Sequence, residues 1–166
     1  STVLRPRSAG THRPHPASGH GIIDDMTITD TILPVDRTED GITILRLTPN
    51  PAKPRGGVVV LDAWLLDAID ATMAEIAAGP TPTGFVLASD SERVFVAGAD
   101  LAEIDALDDE ALLTYLEKGA AAYQRIASLA CPTVAAINGA ALGGGLEIAM
   151  HCDALVGTVV GTDEKP

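Results

Sequence analysis

Apolar and polar residues alternate along Ile42-Thr-Ile-Leu-Arg-Leu47, a period of two that predicts a strand with one buried face. The Pro- and Gly-rich stretch from Thr48 to Gly57 predicts a loop. The period then changes. Leu65, Leu66, Ile69, Met73 and Ile76 recur at helical spacing, so a helix is expected over Trp64 to Ala78, ending at Gly79-Pro80. Gly84-Phe-Val-Leu-Ala88 predicts a short buried strand, and Val94-Phe-Val96 another. Asp100-Leu-Ala-Glu103 has the spacing of a capping box and predicts a short helix. The longest helix is expected from Asp109 to about Ala130, with Leu112, Leu116, Tyr123, Ile126 and Leu129 on one side. Strands at Pro132 to Ile137 and Asp153 to Gly157 complete the pattern. Strands alternating with helices of this length imply an α/β fold with right-handed crossovers.

Residues before Asp36 show no apolar period. Arg5, Arg7, Arg13, three histidines (His12, His15, His20) and several prolines dominate there. Residues 1–36 are therefore expected to be a disordered or non-native arm, with Met26 a candidate natural start. Residues 37–166 are expected to form a partial domain. The arm lacks acids before Asp24, as organellar transit segments do, but Pro6, Pro14 and Pro16 oppose the amphipathic helix such a segment needs.

Composition narrows the function. Hydrophobic residues make up 46% of the chain but aromatics only 3%, so Ala, Val, Leu and Ile must fill the interior. The net charge of −12 disfavours nucleic acid as a partner. Cys131 and Cys152 lie in apolar sequence without ligand-spaced neighbours. That predicts buried free thiols in a reducing compartment, cytoplasmic or alternatively the mitochondrial matrix, and no metal site. No apolar run reaches the roughly 18–20 residues a bilayer span requires.

The candidate chemistry lies at two strand ends. A β-branched run ends at Asn138-Gly139, and Gly143-Gly144-Gly145 leads into a helix with Glu147 in its first turn. Val94-Phe-Val-Ala97-Gly98-Ala-Asp100 ends another strand in the same manner. Nucleotide binding at the first loop is disfavoured. Gly145 is followed by Leu146-Glu147 rather than Lys-Ser/Thr, no G-x-G-x-x-G is present there, and a carboxylate would repel a pyrophosphate. Neither Ser89 nor Ser91 sits in a G-x-S-x-G elbow, and the cysteines lack an evident base. An acyl thioester suits these residues better: free amides would stabilise a developing enolate oxygen while a carboxylate handles a water or a proton. Structural readings stand beside that one. Glu147 is also an acid favoured by a helix N-terminus, the three glycines also suit a tight packing turn, and Asp100 reads first as a helix cap. His151 reads as an exposed or core-satisfied histidine. Lys53 and Arg55 are candidates to meet phosphates or simply water.

Phe95-Val-Ala-Gly-Ala-Asp100-Leu-Ala-Glu-Ile104 and Val134-Ala-Ala-Ile-Asn-Gly-Ala-Ala-Leu-Gly-Gly-Gly-Leu-Glu-Ile-Ala-Met150 resemble the two signature segments of the enoyl-CoA hydratase/isomerase (crotonase) family. The resemblance runs from about Gly41 to the last residue, and its first segment is similar in style to the hydratase part of multifunctional fatty-acid oxidation proteins. It implies a crotonase-like ββα-superhelix, C-terminally truncated, from a parent that forms a homo-oligomer or joins a fatty-acid oxidation complex. It implies an acyl-CoA substrate and no separate cofactor, coenzyme A being part of the substrate. By motif position it places oxyanion donors on the backbone N–H of Ala97 and Gly144, and the first catalytic glutamate at Glu147. The family's second glutamate, in a Gly-x-Pro-Glu context about 20 residues further on, has no match here. Glu164 has the wrong neighbours, and the Pro49 to Gly57 loop also departs from the family's usual form. The implied reaction is hydration of a 2-enoyl-CoA in fatty-acid β-oxidation, weak or absent in these residues alone. The alternatives are an isomerase of the same fold and a non-catalytic acyl-CoA-binding remnant.

Overall fold

The computed structural model describes residues 33–158. Five strands form one sheet: β1 (Val35–Arg37), β2 (Ile42–Leu47), β3 (Gly84–Ser89), β5 (Thr133–Ile137) and β7 (Ala154–Gly157), in that spatial order. β1 is antiparallel to β2, and every later pairing in this sheet is parallel. A second sheet pairs β4 (Val94–Val96) with β6 (Ala140–Ala141), also in parallel. The helices are α1 (Ala63–Ala78), α2 (Leu101–Asp105), α3 (Asp109–Ala127) and α4 (Gly144–Met150).

The alternation in β2 buries Thr43, Leu45 and Leu47 on one face. Register carries that face across the sheet. Thr43 lies beside Phe85 and Phe85 beside Thr133, while Leu45 lies beside Leu87 and Leu87 beside Ala135. α1 is started by Asp62, whose side chain accepts from the Leu65 amide at 2.9 Å. It buries Leu65, Leu66, Ile69, Met73 and Ile76 in the shared core, each contributing about 1.5–3 kcal/mol.

Several expectations change. Leu33 is only 1% exposed and belongs to the core, and β1 begins at Val35, so residues 33–36 are part of the fold. The rest of the expected N-terminal arm, Met26 included, and Glu164 lie outside the described residues. α3 stops at Ala127, capped by Ser128. Its buried stripe is Tyr115, Gly119, Ala122, Tyr123 and Ile126, and Leu116 points outward at 56% exposure. Gly119 and Ala122 explain the rotation. Small residues let α3 approach α1, and an added Cβ at Gly119 would already touch Leu66. Two exposed ion pairs, Lys118 with Asp67 at 2.7 Å and Arg125 with Asp70, cross the same helix pair. β6 is too short to show a period and was not expected.

Candidate active site

The first junction is built where the chain entering α1 runs beside the end of β4. Ala97 N–H donates to the Val59 carbonyl at 2.9 Å, Leu61 N–H to the Gly98 carbonyl at 2.8 Å, and Asp100 N–H to the Leu61 carbonyl at 3.0 Å. Ala97, expected to supply a free donor, has therefore already used its N–H. Leu61 and Ala99 form a parallel bridge in which Leu61 supplies both bonding groups. In such a bridge the opposite residue turns its own N–H and carbonyl to the other side. For Ala99 that side is the one where Leu142 N–H donates to the Val96 carbonyl at 3.0 Å, leading on to Gly143 and Gly144. Ala99 N–H has no acceptor among the described residues. The physical reason for the two-residue displacement is Gly98, at φ +94, where the strand turns.

The second junction converges on the first. Gly143, at φ +49, occupies the N-cap of α4, and the Gly145, Leu146 and Glu147 amides donate back to Leu142 or Gly143 at 2.8 to 3.0 Å. Gly144, the first residue of the helix, keeps its N–H without an acceptor among the described residues. Gly145 presses on the first strand so closely that an added Cβ would lie 2.3 Å from the Val96 carbonyl oxygen. The two strand ends are thus in contact. Each carries one amide without an acceptor among the described residues.

Glu147 is exposed in the first turn of α4. With Gly143, Leu146, Met150 and His151 it lines an open depression of about 400 Å³. His151 places Nδ1 2.9 Å from the Glu147 main-chain oxygen, which accepts only, so the ring proton belongs on Nδ1 in this contact. Its ring centroid is 5.4 Å from that of Tyr123, at 51°. Burial pushes the Tyr123 phenol well above its usual range, and the Glu147 charge adds to that.

Lys53 and Arg55 do not wait for phosphates. Lys53 meets Glu103 at 3.0 Å and Asp100 at 3.4 Å, while Arg55 pairs with Asp100 and with Asp62. Asp100 is the cap of α2, accepting from the Glu103 amide. The capping box is one-sided, because Glu103 turns to the Ala63 amide at 3.0 Å. Burial raises the Asp100 carboxyl, but the Glu103 amide and the Arg55 and Lys53 charges outweigh it and leave the group below its usual range. Asp62, Asp100 and Glu103 bring oxygens together as cation ligands would, but each already meets Lys53 or Arg55, which offset two of the three negative charges. Cys131 and Cys152 are free thiols, and burial pushes Cys152 up to about 11. Sequence reasoning missed Ala99 and Tyr123. Ala97 and Ala99 share parity in a strand, so no local signal separated them before the pairing with Val59 and Leu61 was known, and nothing local marked Tyr123.

The described residues thus form an α/β fold in which two adjoining strand-to-helix junctions each carry an unpartnered amide, with one acid in the first turn of the second junction's helix. Residues 59–158 match the model of the enoyl-CoA hydratase/isomerase family, and the chain belongs to that family. A fatty acid oxidation complex subunit alpha from Shewanella halifaxensis is 38% identical over 122 residues, covering 70% of this chain and 16% of that protein. Enoyl-CoA hydratases of crotonase fold superpose well. That from Bacillus anthracis does so at TM-score 0.65 and 26% identity, covering 75% of this chain and 46% of its own. One from Mycobacterium smegmatis gives 0.66 and 26%, covering 75% and 47%. The chain thus spans about a sixth of the curated relatives it matches and just under half of these solved structures. Among the described residues no helix is long and apolar enough to cross a membrane.

Proposed function

We propose that these residues form the thioester-activating half of an enoyl-CoA hydratase acting in fatty-acid β-oxidation. The observation that carries the reading is the pair of unpartnered amides, Ala99 and Gly144, on adjoining junctions with Glu147 one turn beyond. Ala99 replaces Ala97 as donor in this reading, because Ala97 N–H is already bonded. The two amides hold the thioester oxygen, each worth roughly 2.7–4 kcal/mol as negative charge develops on it. Glu147 takes a proton from water as the water oxygen bonds to C3. The electron pair of the double bond passes to the thioester oxygen, and a second acid then protonates C2, giving the 3-hydroxyacyl-CoA. With the oxygen at the start of α4 and C3 near Glu147, the acyl chain runs down the helix over Leu146 and Met150, which are 41% and 65% exposed.

The test compares binding and hydration of a short 2-enoyl-CoA by the parent chain and by Glu147→Gln. Slow hydration by the parent is expected, with a loss of about 10²-fold or more in the variant and unchanged thioester binding. A hydration rate indifferent to Glu147 would sink the proposal and favour isomerisation. Binding with no conversion by the parent would favour a carrier role.

A further inference from the structure

The hydroxyl of Tyr123 is the unused polar group nearest the site. The residue is 7% exposed, yet its Oη is not among the buried atoms that lack a partner, so the ring is enclosed while the hydroxyl stays open to the site side. The other buried tyrosine differs: Tyr115 spends its hydroxyl on the Leu61 carbonyl at 2.8 Å. The Tyr123 oxygen lies against Gly144, where an added Cβ would stand 3.2 Å from it and 2.9 Å from Leu61 Cδ1. Gly144 and Glu147 are three residues apart on α4, hence on neighbouring positions of one face. Helical side chains lean toward the N-terminus, so Glu147 leans over the turn that contains Gly144. With no side chain at Gly144, the space between the phenol and that turn of α4 is left open.

We propose that Tyr123 is a positioning residue for Glu147: its O–H donates to a carboxylate oxygen across Gly144 and fixes the orientation in which Glu147 meets water. This rests on the reading of Glu147 given above. It assigns Gly144 a second duty besides its free amide, as the gap through which the two side chains meet. The charged and titratable neighbours of the phenol are Glu147 and His151 on α4 and Tyr115 on its own helix. Of these, Glu147 is the only acid able to accept a strong hydrogen bond as an anion.

The test is carboxyl-carbon NMR of the whole chain with labelled glutamate, Glu147 being assigned by the loss of its signal in Glu147→Gln. In Tyr123→Phe the Glu147 carboxyl signal at neutral pH is expected to shift. Tyr115→Phe should leave it unchanged. If Tyr123→Phe does not fold, 3-fluorotyrosine at position 123, a stronger donor of nearly the same shape, must shift that signal in the opposite direction. A Glu147 signal identical in the parent and the altered chain would overturn the proposal. Hydration measured separately keeps the two ideas apart: a rate indifferent to Glu147 removes the hydratase reading and leaves the NMR result standing.

Discussion

Gly145 fixes how closely the two junctions can approach, and its requirement is steric rather than conformational. Its φ is not in the left-handed region, yet a Cβ there would come within 2.3 Å of the Val96 oxygen and 2.6 Å of the Val96 Cβ. Both are strand atoms that cannot swing away. Gly145→Ala must therefore push α4 off β4, an overpacking that costs about 1–3 kcal/mol or more. Gly57 makes a useful contrast, with φ +86 but open space around it; its alanine variant suffers only backbone strain. Thermal melts should rank Gly145→Ala several degrees below Gly57→Ala, with hydration lost in the former as the amides separate. Equal melting temperatures would mean that the strand and helix are not pressed together as described.

At the scale of elements, one cluster starts two helices. Asp62 caps α1 and Asp100 caps α2, and Arg55 reaches both while Asn50 donates to Asp62 at 2.8 Å. Asp62 is fully buried. Removing its cation leaves a buried charge only partly satisfied, a change that costs on the order of 3–5 kcal/mol. Arg55→Met should lower the unfolding free energy read from urea melts by that scale, and the midpoint with it, whereas Lys53→Met, at a side chain 47% exposed, should change both little. Midpoints equally insensitive to both would show that the cluster does not tie the helices. The pH arm has a definite sign. The folded Asp100 carboxyl titrates below its usual value near 3.8, so its stabilisation is present above that pH and is lost as pH falls through the lower folded value. Asp100→Asn should flatten the acid side of the stability profile. Both caps lay in the sequence as acids ahead of apolar runs, but only Asp100 was legible, because Glu103 follows at box spacing. Asp62 follows Val-Val-Val-Leu61, which reads as strand. Its partners lie up to 12 residues away in the chain, at Asn50 and Arg55, where local spacing carries no signal.

In the whole molecule, strands with a clear period were legible to within a residue or two, as β2 and β3 show. What escaped was set by pairing: β1 exists because Val35 to Arg37 lies along β2, and β6 because Ala140 and Ala141 lie along β4. The site divides in the same way. Gly144 and Glu147 follow from their own loop, whereas the choice of Ala99 over Ala97 depends on which carbonyls of the Val59 to Leu61 segment face the strand end. One core joins all these parts, so ionising any buried acid in it should act on the entire fold. Burial pushes Cys152 from near 9 up to about 11 and Tyr115 from near 10 up to about 12, and raises Tyr123 further. In each case the unfolded chain ionises first. The contribution of these three groups is therefore complete below about pH 9 and is lost as pH rises from 9 through 12. General repulsion in a chain of net charge −12 acts in the same direction, but about 1 M salt screens it. Urea midpoints measured at that salt should still fall steeply above pH 9. The combined variant Cys152→Ala, Tyr115→Phe, Tyr123→Phe should start lower at neutral pH and decline less. A parent midpoint that stays level from pH 8 to 11 would contradict the burial of all three groups in one cooperative core.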